Sequence, residues 1–415
     1  MPKDTAGAHE PPVSTQMHPV AFLRARPFAA RIIADLAASM GPTHAYDHEA
    51  MRHGAEAVIK VYGEIRRHLP ANLQGHEAGV GLTSATFTTI TAYAQFMASG
   101  RQIFAMPAAL VAALDQTDLG DVRFGDVAMP FPAFFVHFGN ALAVSLPGVP
   151  NQVTGAYVFH AEARGETPAY LSVTFVTHRM EARPEDPLDW ARHQEPQQDV
   201  YFELDLPPGE DALDTYLQRF LRDETARIES QLNPVDEPTD HTSERPRRTY
   251  LRQLHDGWPT SQRLLRLVLN ALVYMSSLQL ATPSATGLTE PTWPADTPPP
   301  LLRALTSLPE GAPGRKKRRT AVGRLLEAGY LPLRMLPPLD DADDRDEALG
   351  GGQTVAPHFR RAHWRRQGVG PGRAAVRLTR IRATLVRPDR GVPAQGRWRE
   401  VPDTTDDRSN EAANG

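Results

Sequence analysis

The spacing of apolar residues changes twice along the chain. Over 20–115 they recur at helical intervals. Phe22, Phe28, Ile32, Ile33 and Leu36 make one stripe; Met51, Ala55, Val58, Ile59, Tyr62 and Ile65 make another. Residues 82–97 and 104–114 predict two further helices, the first closed by Gly100. From 128 to 207 the pattern is that of strands. Segments 131–138, 153–160, 170–178 and 200–206 are short, rich in β-branched and aromatic residues, and parted by turn residues such as Gly165, Pro184 and Pro187. Their spacing predicts an antiparallel meander. Helical period returns over 211–232, through Leu213, Tyr216, Leu217, Phe220, Leu221, Ile228 and Leu232, and again over 259–277. This last segment is apolar nearly all round, which predicts a core helix.

Beyond it, 281–300 is rich in Pro and Thr and reads as a linker. A short helix is expected over 301–308 and a strand over 331–336, with the basic run Arg315, Lys316, Lys317, Arg318, Arg319 between them. The expected fold class is α+β. A main domain covers 20–280: helical over 20–115, strand-rich with a central antiparallel sheet over 128–207, and helical over 211–278. A linker and excursion with short elements occupies 281–352, and a small basic C-terminal module with strands occupies 353–400. Segments 1–19 and 401–415 read as disordered.

Composition adds limits. The chain has 415 residues, 41% of them apolar, enough for a substantial core. Its net charge of −4 hides an asymmetry. Between 358 and 391 there are ten Arg against one acid, Asp389, while 340–347 holds six acids and one Arg. Such a basic module suits an anionic partner; a solvated strand surface would look the same. The absence of cysteine excludes disulfides, thiolate zinc sites and cysteine nucleophiles, and fits a reducing cytoplasm. The longest apolar runs are too short to span a bilayer, so no membrane partner is expected. No motif calls for a cofactor.

Candidate chemistry concentrates in the C-terminal module. The expected partner-binding residues are His358, Phe359, Arg360, Arg361, His363, Trp364, Arg365, Arg366, Gln367 and Arg373. Arginine forks suit phosphate or carboxylate. Phe359 and Trp364 suit stacking on bases or packing on a peptide. Gly368, Gly370 and Gly372 with Pro371 make a turn that lets backbone approach closely. Arg377, Arg380 and Arg382 interleave with Val376, Leu378 and Ile381, as on a half-buried strand. The competing reading puts Phe359 and Trp364 in the core and pairs the arginines with acids elsewhere. Arg315 to Arg319 suit phosphate contacts or a flexible linker equally.

Histidines offer the enzyme reading, a metal-dependent hydrolase. His44 and His48 are four apart, with His53 nearby, and His137, His160 and His178 sit at predicted strand ends where they could share a metal or acid–base site. No Gly-x-Ser-x-Gly elbow is present, and Gly120-x4-Gly125 lacks the Lys-Ser/Thr of a phosphate loop.

Two stretches carry a resemblance. Residues 357–373 follow the pattern P-H-[FW]-R-R-x-H-W-R-x-Q-x-x-G-x-G, and 264–275 follows L-x-N-x-L-x-Y-L, with Val268 and Met275 in place of Leu and Val369 in place of an aromatic. Together they resemble a family of phage- and plasmid-borne proteins that includes a type V-A anti-CRISPR inhibitor. That inhibitor lowers production of its target nuclease by recognising the nascent N-terminal segment of the effector. The resemblance implies a non-enzymatic binding protein of a mobile element or phage-defence setting, whose partner is a protein or peptide, including a ribosome-associated nascent chain. Binding of RNA or DNA through the Arg-rich module stays open beside it.

Overall fold

In the computed structural model of the chain the described residues are Met17, Pro19, Ala37, 91–139, 141–142, 144–145, 152–161, 169–177, 200–206, 211–232, 255–281, 291–294, 297–307, 314–327, 330–339, 358–381 and 384–386. The stripes expected over 22–36 and 51–65, the terminal segments expected to be disordered, the acidic run 340–347, and His44, His48, His53 and His178 lie outside them.

A helix over 91–98 ends at Gly100, as its sequence implies. The helix expected over 104–114 divides. Ile103–Ala105 is a strand (β1), and the helix proper (α1) is Ala108–Asp115. Pro107 separates them, with φ −58° and ψ 147°. Its ring holds the preceding residue extended and lacks the N–H a continuing helix would need.

The meander follows: β2 (Ala133–His137), β3 (Val153–Ala161), β4 (Ala169–Thr177) and β5 (Val200–Leu206), each antiparallel to the next. Then come α2 (Leu213–Leu232), α3 (Trp258–Ala281), α4 (Pro299–Thr306), α5 (Arg315–Glu327) and β6 (Leu333–Met335). The sheet order is β5-β4-β3-β2-β1-β6. Its far edge is parallel, because β1 pairs in the same direction as both β2 and β6. Apolar period alone reports strands without direction. Here the parallel step from β1 to β2 is made possible by α1 and the long connection after it.

The sheet is covered on both faces. On one, Phe134, Val136, Val158, Val173, Phe175, Phe202 and Leu204 join a core completed by α1, α2 and α3. On the other, Phe135 packs against Tyr157, whose ring centroid lies 5.6 Å from those of both Tyr93 and Phe96 in the 91–98 helix. Burial on both faces explains why the strands read as near-continuous apolar runs. It also explains α3, which is buried from Leu267 to Ser276 without interruption. Among the described residues no helix is long and apolar enough to cross a membrane.

The chain ends in two small pairings. β7 (His358–Arg360) pairs with β10 (Thr384–Val386), and β8 (His363–Val369) pairs with β9 (Ala375–Ile381) across a turn that includes Pro371–Arg373.

Candidate partner-binding hairpin

The register of β8 on β9 sorts the Arg-rich module into two faces. Trp364 opposes Arg380, and Arg366 opposes Leu378. Arg365 opposes Thr379, and Gln367 opposes Arg377. Directly opposed residues share a face and alternate ones do not. The inner face is therefore Trp364, Arg366, Leu378 and Arg380; the outer is His363, Arg365, Gln367, Arg377 and Thr379.

The inner face is built into the core. Trp364 is 1% exposed and Leu378 3%. The Trp364 indole Nε1 donates to Asn270 Oδ1 at 2.9 Å, and its ring lies 6.5 Å from that of Tyr274. Asn270, fully buried in the middle of α3, donates in turn from Nδ2 to the Thr117 carbonyl at 2.8 Å. Thr117 Oγ1 accepts from Arg380 Nε at 2.9 Å and donates to the Ala113 carbonyl at 2.6 Å. One buried polar chain thus joins hairpin, helix and the loop after α1. Such a network is favourable when every member is satisfied.

The same loop takes up Arg366. Its guanidinium lies 2.7 Å from Asp126 Oδ2 and donates to Oδ1 at 3.0 Å, while its backbone N–H donates to Asp121 Oδ1 at 3.0 Å. Backbone pairing completes the seam: Asp118 N–H donates to Ala362 O at 2.8 Å, and Trp364 N–H to Asp118 O at 3.0 Å. Gly120 is held at φ +64°, and a Cβ there would stand 1.9 Å from the Trp364 carbonyl oxygen. Glycine is what lets the two backbones meet. Elsewhere α3 is tied to α1 by Arg263, which donates to Asp115 at 2.6–3.1 Å; these hydrogen bonds raise the arginine's pKa above its ordinary value.

The residues singled out from sequence therefore separate. Trp364 belongs to the core, as the competing reading had it, because its indole fills the space beside α3 and finds its hydrogen bond there. Arg366 is taken by acids of the chain itself. Arg361, Arg365, Gln367 and Arg373 are exposed and His363 is half-buried, its Nδ1 3.2 Å from the Arg361 carbonyl. Arg373 sits in the turn at φ +58°. Gln367 Oε1 accepts from Thr379 Oγ1 at 3.2 Å on the outer face. His358, Phe359 and Arg360 form β7, opposite Val386, Leu385 and Thr384. Arg377, exposed and directly across from Gln367, joins this outer set.

Of the strand-end histidines offered for a metal-dependent hydrolase, the two described ones do not come together. His137 opposes Gly155 on β3, whereas His160 falls an odd number of residues further along that strand, so the two point to opposite faces of the sheet. Among the described residues no cluster of His, Cys, Asp or Glu could hold a metal ion.

Sequence reasoning passed over Thr117, Asp118, Asp121 and Asp126, and met Gly120 only as an incomplete phosphate loop and Asn270 only as a position in the helix pattern. The signal was present. Asp115, Asp118, Asp121 and Asp126 recur through one short segment of a chain that carries ten arginines between 358 and 391.

The sequence model of the AcrVA2-like family, described as the anti-CRISPR type V subtype A2 family, matches residues 104–388. That range runs from β1 through β10 and takes in both halves of the Trp364–Asn270 seam. The chain belongs to the AcrVA2-like family. A crystal structure of AcrVA2 aligns over 90% of this chain and 99% of that one, at 14% identity and a TM-score of 0.35. No curated protein matches. Within this AcrVA2-like chain, the seam is where the two stretches that carry the resemblance meet.

Proposed function

We propose that the chain is a non-enzymatic protein-binding member of the AcrVA2-like family that acts against a type V-A CRISPR effector. In this reading it engages a protein or peptide segment, the nascent N-terminus of the effector being the specific form. It works in the cytoplasm of a cell carrying a phage or plasmid. The contact surface is the outer face of the β8–β9 hairpin. The observation that supports this is the division of arginines. Arg366 and Arg380 are spent inside, while Arg361, Arg365, Arg373 and Arg377 stand outside around the Gln367–Thr379 pair. Planar forks beside an amide suit carboxylates and peptide groups. A rigid seat keeps the ordering cost of such a surface low.

The test is capture. Tagged protein is co-expressed with a type V-A effector and recovered with and without RNase and DNase. The reading expects effector, or its N-terminal fragment, in both samples. It expects loss of capture on combining Arg365→Ala with Arg377→Ala, with Tm unchanged. Capture that survives the double substitution would remove the hairpin from the interface. Recovery that vanishes with nuclease would move the partner to nucleic acid.

A further inference from the structure

A second basic surface is independent of the hairpin. Helices α4 and α5 pack as a pair with their own small core of Leu305, Ala321 and Leu325, flanked by Trp293, Leu301, Val322 and Tyr330. The basic run, which suited phosphate contacts or a flexible linker equally, is the first turn and a half of α5. At 100° per residue, Ala321 and Leu325 mark the buried side, Lys316, Arg319 and Gly323 fall opposite it, and Thr320 and Arg324 lie on one flank. Lys316, Lys317, Arg318, Arg319, Thr320 and Arg324 are exposed.

Two features of this face have no explanation among the described residues. The first is its charge. No acid stands in the first turn of α5, where the helix dipole disfavours cations. Arg219, Arg227, Arg263, Arg266 and Arg366 are each paired with a carboxylate. Among the described residues no acid pairs with the cations of α5. The second is Gly323. Its backbone is not left-handed, and a Cβ there would meet nothing within 4 Å. Mid-helix glycine is unfavourable relative to alanine, and neither crowding nor backbone conformation demands it. A glycine between Lys316, Arg319 and Arg324 is a gap in a ring of cations, where another molecule's backbone can lie against the helix.

We infer that this face of α5 binds the sugar–phosphate backbone of nucleic acid. Lys316 to Arg324 spans roughly 12 Å of helix axis, about the rise of three to four nucleotides of one strand. No aromatic residue occurs in α5, so the contact reads phosphates without reading sequence. An acidic polypeptide is the rival occupant. Among the described residues of the helix, the exposed ones are cations and one threonine, with no exposed apolar side chain among them, which suits a regularly charged backbone better.

The experiment is fluorescence anisotropy of the full chain with a labelled mixed-sequence 20-nucleotide RNA, and with the same sequence as duplex DNA, between about 50 and 200 mM salt. The two probes distinguish the strand type. The inference expects affinity to fall steeply with salt. Combining Lys316→Ala, Arg319→Ala and Arg324→Ala is expected to weaken RNA binding at least about tenfold and to flatten the log–log salt slope by about two. Gly323→Ala is expected to weaken binding while Tm rises or holds, which separates the site from a folding defect. Neither probe binding at the lowest salt would overturn the inference. So would an unchanged slope in the triple variant, or polyglutamate binding more tightly than RNA. Protein capture is expected to survive the triple substitution, so this idea and the hairpin reading can fail separately.

Discussion

Replacing Asn270 by leucine tests the seam most directly. Leucine is close in size and suits the apolar surface of α3, so little packing is lost. What disappears is both hydrogen bonds of the amide: the acceptor for Trp364 Nε1–H and the donor to the Thr117 carbonyl. Trp364 and Thr117 are each 1% exposed, so water cannot take the amide's place without opening the core. A buried polar group left unpaired costs about 1–3 kcal/mol, and two such groups give about 2–6 kcal/mol. The loss should be felt first in the hairpin, whose hold on α3 runs through this amide. Hydrogen exchange of β8 and β9 amides is the sensitive readout. A local loss of about 2 kcal/mol lowers protection roughly 30-fold. Trp364→Phe alone leaves Asn270 Oδ1 unpaired. Adding it to Asn270→Leu removes the indole donor that leucine had stranded, so the double variant should be less destabilised than the sum, by about 0.5–3 kcal/mol. Strictly additive effects, or unchanged exchange in β8 and β9, would refute the claim that this pair seats the module.

Three further perturbations probe the same architecture. Gly120→Ala combines a left-handed backbone with a Cβ 1.9 Å from the Trp364 carbonyl oxygen, so it should lower stability by at least about 2 kcal/mol in thermal denaturation and expose the indole to fluorescence quenchers. Asp126→Asn weakens the partner of the half-buried Arg366; a loss of about 1 kcal/mol, shrinking at high salt, is expected from chemical denaturation. Burial raises the pKa of Tyr93, whose hydroxyl donates to the Pro19 carbonyl. Above about pH 10 the unfolded chain sheds this proton while the folded one keeps it, so stability is full below that pH and falls by about 1.4 kcal/mol per unit above it. Tyr93→Phe should remove that alkaline slope in denaturation curves taken from pH 9 to 11.

The elements were legible where periodicity was strong. Strand 200–206 is apparent from its alternation of apolar residues, and the helix around 259–277 from an apolar run that is buried without interruption from Leu267 to Ser276. Direction was not legible. Nothing in Ile103-Phe104-Ala105 announces that it runs parallel to β2, since a side-chain pattern is the same either way along a strand. The helical state of Arg315 to Arg319 was also hidden. The stabilising contacts come from Ala321 and Leu325 further on, and charge alone does not distinguish a basic helix from a basic linker. In the C-terminal module the relevant residues were visible, but their facing was not. The pairing register that separates Arg365 from Arg366 depends on where the turn falls, and that is set by Gly370, Gly372 and Arg373 adopting positive φ.

That register divides one short stretch of this chain between a seat and a surface. A strand presents alternate residues to opposite sides, so the stretch His363-Trp364-Arg365-Arg366-Gln367 interleaves two tasks. Trp364 and Arg366 answer to Asn270, Asp121 and Asp126, and altering them disturbs the seat of the hairpin. Arg365 and Gln367 face outward, where the proposed partner would bind. A substitution such as Val369 for an aromatic sits on β8 at the turn, opposite Ala375, and leaves the inward contacts untouched. On the proposed reading, the inward half of the hairpin seats the platform and the outward half meets the target. The consequence is testable by exchange. Grafting the outer residues 365, 367, 377 and 379 from another family member should transfer partner preference without loss of stability. Grafting 364, 366, 378 and 380 should change stability and leave partner preference where it was. The opposite outcome would mean that the face buried against α3 opens to meet the partner, and that the seam is a latch instead of a foundation.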